Sequence, residues 1–322
     1  MRAVLLTAFG NPIDTLKFTE VPEPPPPGPG EVLVAMLFAP LDFSDLLVAR
    51  GIYPVPLTLP SVIGNEGVGR VMAVGRGVTH VKAGDRVLAP LHGLTWAERA
   101  LYPADRLFAL PVGGDARQLA MAGINPPTAA LLLSEYVDLK PGDWVVQNAA
   151  NSGVGRSVIA FAKKRGLHTI NLVRRPELVP ELQAAGGDVV LVDGPDAPAY
   201  VKGAIGAASP RLGLDAIAGP STQSLIRLLG PGGTAVLYSQ LSREPAALDG
   251  RDLIFRRITV RGFWQGAPEF AAKLPAAMRE GAELIIAGQI QVPIAGVYPL
   301  SAIKEAVAHA ERGGKVLLQL QG

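Results

Sequence analysis

A strand-like run at 144–148 leads into Ala149-Ala150-Asn151-Ser152-Gly153-Val154-Gly155, and a helical stretch follows. A strand, a tight turn of small residues and a helix N-terminus together form an anion site. The unpaired N–H groups of the first helical turn and the positive end of the helix dipole both face the ligand. Gly153 and Gly155 let backbone approach a pyrophosphate and let the helix pack closely on its strand. The fit to G-x-G-x-x-G is incomplete, because Ala149 stands where the first glycine is expected. A ligand-free turn is the plainer alternative, and the βαβ series around it favours a nucleotide. About 20 residues further on, an NAD site would place Asp or Glu at the tip of the second strand for the ribose 2′-hydroxyl. Here that strand ends in Val173-Arg174-Arg175-Pro176. Two guanidiniums suit the 2′-phosphate of NADP by charge and by fork geometry, against the alternative of two solvated surface arginines.

These groups need a scaffold, and the chain is long enough to supply one. It has 322 residues, 48% hydrophobic and 18% charged, with 37 Gly, 29 Pro and no Cys, and a formal net charge of +2. That length favours two domains. The apolar content excludes a disordered chain. The absence of Cys excludes a disulfide scaffold, a Cys-ligated zinc and a thiol nucleophile. A charge so near neutral argues against nucleic acid as a main partner.

Up to about residue 110 the pattern is β-rich. VLLTAF, EVLVAMLFAP, GVGRVMAVG and DRVLAPL are β-branched runs cut by Gly and Pro, which suits a small, partly closed barrel. PEPPPPGPG at 22–30 can be neither helix nor central strand and serves as a rigid connector. From about 143, strands alternate with helical stretches such as 153–165 and 176–185, which predicts parallel βαβ units in a doubly wound sheet. The tail carries a helix near 301–311 and a strand at 315–320 that can return to the first domain. The uncharged stretch 284–303 contains Gln289, Gln291, Pro293 and Pro299, so it reads as a helix end, turns and a short strand, not a membrane span. The first residues show neither a signal-peptide core nor a transit segment. The expectation is a cytoplasmic protein with no membrane partner.

The chain resembles the zinc-free branch of the medium-chain dehydrogenase/reductase superfamily, and within it the NADPH-dependent 2-enoyl thioester reductases of the mitochondrial fatty-acid-synthesis type. The resemblance spans nearly the whole chain. It rests on SDLLVARGIYP (44–54), GNEGVGRVMAVG (64–75), GINPPTAA (123–130), QNAANSGVG (147–155), TINLVRRP (169–176) and RGFW (261–264). It implies an α/β protein with a Rossmann doubly wound parallel sheet inserted in a GroES-like β-barrel catalytic domain. The expected domains are 1–119 plus 264–322 (catalytic) and 120–263 (NADPH-binding). It also implies a homodimer, with the strand near 258–263 joining two sheets.

Carried over residue by residue, the family's cofactor positions fall on Asn125, Asn151, Ser152, Gly153, Val154, Arg174, Arg175, Tyr238, Ser239, Phe263, Trp264 and Lys315. Two departures stand out: the family's glycines in the 238–241 stretch are Ser239 and Gln240 here, and Arg175 is shifted relative to the family's basic pair. Zinc members of the superfamily use Cys ligands and a His in Gly-His-Glu. This chain has Gly64-Asn65-Glu66 and four scattered His, so no metal is expected.

The family's proton donor falls on Tyr53. A phenol, with a free pKa of about 10, is neutral at pH 7 and can donate; from the residues alone, packing against the neighbouring prolines is an equal alternative. Asn65 and Trp264 are weaker candidates for orienting ligand. The implied reaction is NADPH-dependent reduction of the 2,3 double bond of an enoyl-CoA or enoyl-acyl-carrier-protein. The alternatives are an NADPH:quinone oxidoreductase of the same superfamily and an NADPH-binding protein without turnover.

Overall fold

The β-branched runs near the N-terminus pair as strands, and the last strand of the chain joins them. In the computed structural model, which describes residues 1–321, the chain forms two units: Met1–Ile124 with Met278–Gly322, and Asn125–Ala277. The first unit is built on a curved sheet. It runs in the order Ile294–Pro299, Lys315–Gln319, Glu31–Leu41, Val68–Val74, Arg86–Leu88 and Phe108–Ala109, with Arg99–Pro103 also pairing to Glu31–Leu41. Lys315–Gln319 lies antiparallel to Glu31–Leu41, with Val316 opposite Leu41 and Gln319 opposite Phe38. Alternating residues of these strands, Val32, Val34 and Met36 among them, meet Val71, Trp96 and Leu318 in one core. A smaller sheet of Leu16–Glu20, Arg2–Leu6 and Ser61–Val62 completes the unit.

The second unit contains six parallel strands: β1 (Trp144–Gln147), β2 (His168–Val173), β3 (Val189–Val192), β4 (Leu212–Asp215), β5 (Thr234–Leu237) and β6 (Thr259–Gly262). Their order is β3-β2-β1-β4-β5-β6, and every neighbouring pair is parallel. The chain leaves β1 toward β2 and later returns on the other side to β4. Such a reversal opens a crevice at the carboxyl ends of β1 and β4, where doubly wound sheets bind ligands. A parallel sheet covered by helices on both faces needs apolar residues at consecutive positions. Val145 and Val146, Ile170 and Leu172, and Ala235 and Val236 are accordingly buried.

The expected domain joins at 119/120 and 263/264 sit at 124/125 and 277/278 in this division. The physical reason is packing. The fully buried helix Asn125–Leu132 packs on the helix Gly153–Lys164. After β6, Thr128 donates to Gln265 at 2.8 Å and the Lys273 ammonium pairs with Glu135. The 284–303 stretch resolves into the end of helix Leu274–Ile286, turns, and strand Ile294–Pro299. Among the described residues no helix is long and apolar enough to cross a membrane.

Ala149, directly before the glycine turn, adopts φ +46°. Left-handed backbone costs an L-residue roughly 1–2 kcal/mol. Ala149→Gly is therefore expected to raise the unfolding free energy in urea by up to about 1 kcal/mol, once the greater freedom of glycine in the unfolded chain is subtracted.

Candidate active site

The second unit carries the turn after β1. Ser152 caps the helix Gly153–Lys164, its hydroxyl accepting the Gly155 N–H at 3.1 Å. Ser157 donates to the Gly153 carbonyl at 2.8 Å. The buried Arg156 donates to the Asn151 carbonyl at 3.1 Å and pairs with Glu181. These bonds fix the turn; of the first-turn N–H groups Ser152 takes that of Gly155, and those of Gly153 and Val154 are left over. The space is tight: a Cβ on Gly155 would lie 2.5 Å from the Ala150 carbonyl oxygen, and one on Gly153 would lie 2.8 Å from the Asn125 amide. Larger residues cannot stand at either position without displacing backbone or the amide.

Two polar atoms around this turn are enclosed and unsatisfied: Asn125 Nδ2 and the Tyr238 hydroxyl. Burial first, and the Asp215 carboxylate second, push the Tyr238 phenol well above its ordinary range, so it stays a donor. The enclosed amide N–H lacks an acceptor and the phenol O–H has only the Ser152 side chain within reach, which suits an acceptor-rich ligand. With the helix N-terminus beside them, they fit the phosphates and amide of a nicotinamide dinucleotide. Arg174 and Arg175 are exposed at the tip of β2, Arg175 in a 3.5 Å pair with Glu177. Val154 lies in the first helical turn, and Ser239 follows Tyr238 beyond β5. Phe263 is buried against Phe270 and Tyr136, whereas Trp264 is 40% exposed.

Sequence reading missed Asp215, at the end of β4. It is fully buried and accepts from Asn148 Nδ2 at 2.7 Å, the Ile217 and Ala218 N–H groups at 2.9 and 3.0 Å, and the Thr222 hydroxyl at 2.6 Å. It ties the carboxyl end of β1 to that of β4, where the crevice opens. A lone Asp after an apolar run carries no motif, so nothing in the sequence singled it out.

In the first unit, Tyr53 sits in the irregular loop after the helix Phe43–Ala49. Its N–H donates to the Leu47 carbonyl at 3.3 Å, and its ring is half-buried against the core. The His92 imidazole meets it edge-on, with ring centroids 5.4 Å apart. His92 was only one of four scattered histidines in the sequence, and the structure gives it a place. Its Nδ1 bonds Asn65 Oδ1 at 2.9 Å, while Asn65 Nδ2 donates to Ser44 at 2.8 Å. Asn65 thus orients the imidazole. Nε2 is enclosed without a partner. Burial, then Arg106, lowers the His92 pKa to about 4.

Lys315 lies at the start of the last strand, its ammonium on the Asp42 carboxylate and largely covered. Burial alone would lower its pKa, but Asp42, Glu66 and Asp45 outweigh burial and hold it above the ordinary lysine range. Among the described residues, no group of three His, Asp or Glu stands where it could hold a metal ion.

Comparison with known proteins follows the same two-part division. The alcohol dehydrogenase GroES-like domain family matches residues 28–113, and the zinc-binding dehydrogenase family matches 153–283. The mitochondrial enoyl-[acyl-carrier-protein] reductase of Bos taurus is 35% identical over 315 residues, covering 93% of this chain and 83% of that protein. The structure of the Etr1p/NADP/crotonyl-CoA complex, Etr1p being a 2-enoyl thioester reductase from Candida tropicalis, superposes with a TM-score of 0.89 at 26% identity, covering 99% of each chain. The Escherichia coli quinone oxidoreductase complexed with NADPH superposes with a TM-score of 0.84 at 26% identity, covering 99% of this chain and 100% of that one. The expectation of a cytoplasmic protein, drawn from the first residues of the chain, is overturned by these relatives, which are mitochondrial by name.

A histidine with a depressed pKa adds stability above its unfolded value, and that stability is lost as pH falls from about 6.5 toward about 4. The His92 imidazole resonances are expected to show no protonation in an NMR titration until pH approaches about 4.

Proposed function

We propose, from the premise that the chain belongs to the enoyl thioester reductases of the zinc-independent medium-chain dehydrogenase/reductase superfamily, that Tyr53 is its proton donor and that the turn after β1 holds its cofactor. The protein is an NADPH-dependent oxidoreductase that reduces the 2,3 double bond of an enoyl thioester. The observation that carries this function is identity with an enoyl reductase over nearly the whole chain, together with a fold shared end to end with an enzyme solved with NADP and crotonyl-CoA.

Conjugate reduction places negative charge on the thioester oxygen and requires a proton at the α-carbon. Bound NADPH supplies the hydride for the β-carbon. Gly153, Val154 and the capped helix would bind the pyrophosphate through backbone N–H groups, with Asn151 and Ser152 shaping the turn. Asn125 and Tyr238 would present their unsatisfied donors to the cofactor. Arg174 and Arg175 would hold the 2′-phosphate, and their exposure leaves both guanidiniums accessible to it. Lys315 would add a positive charge for the cofactor, and Ser239, Phe263 and Trp264 would complete its surroundings. Tyr53 would give its proton to the α-carbon. His92 is neutral at assay pH, because its pKa lies near 4, and so does not compete as an acid.

The decisive assay is NADPH oxidation with crotonyl-CoA, a longer enoyl-CoA and a quinone, repeated with NADH. Turnover of the enoyl thioesters with a preference for NADPH is the expected result. Fast quinone reduction with neither thioester turned over would replace this reading with the quinone oxidoreductase one, which the likeness to the Escherichia coli enzyme supports. Binding of NADPH with no oxidation by any acceptor would leave a non-catalytic protein. Tyr53→Phe should lower kcat with crotonyl-CoA at least about tenfold while the dissociation constant for NADPH stays unchanged. An unchanged rate removes Tyr53 from the mechanism.

The same reading makes the protein a homodimer. Among the described residues strand β6 pairs only with β5, and Ile254 and Phe255, just before it in the chain, are 68% and 77% exposed. An open strand edge flanked by exposed apolar side chains suits pairing with a second copy. Sedimentation equilibrium should give about twice the 33.6 kDa chain mass, and Phe255→Asp should shift it toward the monomer.

A further inference from the structure

Three carboxyl groups and one ammonium are buried together in the first unit. Asp42 precedes the helix Phe43–Ala49, and Asp45 lies within it. Glu66 follows the Gly64-Asn65 pair, and Lys315 opens the last strand. Asp45 is fully used: one oxygen accepts the Asp42 N–H at 2.8 Å and the other the Asn65 N–H at 2.9 Å. Asp42 and Glu66 are half used. Lys315 Nζ sits on Asp42 Oδ1, and the Gly123 N–H donates to Glu66 Oε2 at 3.0 Å. The remaining oxygens, Asp42 Oδ2 and Glu66 Oε1, are buried with no donor. The two carboxyls lie within hydrogen-bonding reach of each other.

Two carboxylates cannot bond each other without a proton, and leaving both oxygens bare would be costly in a buried site. One proton between them satisfies both, and adjacent acids commonly share one in this way. The ammonium decides which acid keeps it. Lys315 sits directly on Asp42, whereas its charge acts on Glu66 without a hydrogen bond and the donor that Glu66 has is the neutral Gly123 N–H. Burial first, and the Asp42 charge second, push Glu66 well above the ordinary carboxylate range. Asp45 is pushed the same way by burial and by Asp42, but both its oxygens already have donors.

We propose that Glu66 retains its proton in the native enzyme and donates it from Oε1 to Asp42 Oδ2, making Glu66 a positioning residue that acts through Asp42 on the Lys315 ammonium. The pair then carries one charge, matched by one ammonium, and Asp42 is held from both sides. The consequence for the cofactor rests on the reading of Lys315 as one of its binding groups.

Glu66→Gln tests the idea, because its amide can donate to Asp42 and accept from Gly123 as the protonated acid does. Infrared spectroscopy near neutral pH should show a neutral carboxylic-acid C=O band in the wild type that shifts in D₂O and is missing in E66Q. Stability supplies the second readout. A carboxyl whose folded pKa is raised loses stability as pH climbs from its unfolded value through the folded one. E66Q and wild type should therefore be similar in melting temperature near pH 5. Their difference should widen in favour of E66Q as pH rises toward 9. Absence of the band, or a difference that is flat or reversed with pH, overturns the proposal.

NADPH binding separates the cofactor clause from the shared proton. E66Q should keep the dissociation constant within about twofold, whereas Lys315→Met should raise it at least about tenfold, the size of one lost charge-assisted contact. An unchanged constant in Lys315→Met refutes the role of Lys315, while the band and the pH trend still decide the proton.

Discussion

The close approach of backbone at the turn after β1 is the constraint on which the second unit depends. A Cβ on Gly155 would lie 2.5 Å from the Ala150 carbonyl oxygen, well inside contact distance. The helix can start there only because nothing projects from that position. Once it starts, Ser152 caps it, Arg156 ties down Asn151, and Gln147 donates to the Gly155 carbonyl at 2.9 Å. The N–H groups of Gly153 and Val154 are left over, and the helix lays Val158, Ile159, Phe161 and Ala162 into buried positions. The geometry that seats the helix is also the one a phosphate would require, so on the proposed reading the turn's composition serves the fold and the cofactor together. Ala149 shows how strongly the arrangement is imposed, since it holds a left-handed conformation without being glycine.

Much of this was legible in the sequence because its signals are local. The strands of the parallel sheet announce themselves as β-branched runs, and their alternation with helices fixes the class. The glycine turn after a strand reads as an anion site, and Arg174-Arg175 at a strand end reads as a clamp for a 2′-phosphate. The strand at 315–320 was readable as a strand, and its pairing with residues 38–41 is the long-range step that turns a linear order into a barrel closed by the chain's end. The residues that escaped notice are those whose meaning comes from distant partners. Asp215 matters because Asn148 and Thr222 donate to it. His92 matters because Asn65 fixes its ring against Tyr53. Glu66 looked like the remnant of a zinc motif, and its significance lies in facing Asp42.

Where the two units meet along the chain is set by long-range contacts too. Residues 120–124 and 264–277 differ little in composition from their surroundings. The allegiance of 264–277 is set by side chains such as Gln265, which meets Thr128, and Lys273, which meets Glu135. Such contacts leave no periodic trace. The compartment was illegible in a different way, since a targeting address is read by a receptor and does not follow from the physics of folding.

The two units handle buried charge in opposite manners. Asp215 is one carboxyl group met by four donors, three on Oδ1 and one on Oδ2, so both oxygens are occupied and the group acts as a fixed rivet between β1 and β4. A fully satisfied network of this kind rigidifies what it joins. The Asp42, Asp45 and Glu66 cluster has the reverse composition: three acids, one ammonium and three backbone N–H groups. Donors fall short of acceptors there by the two oxygens that face each other. Removing a carboxyl would restore the count but would leave Lys315 or the Gly123 N–H without its acceptor. A proton is the smallest donor available and requires no room. The cluster is therefore balanced by protonation where the rivet is balanced by geometry, and only the former can respond to its surroundings without any atom of the backbone moving.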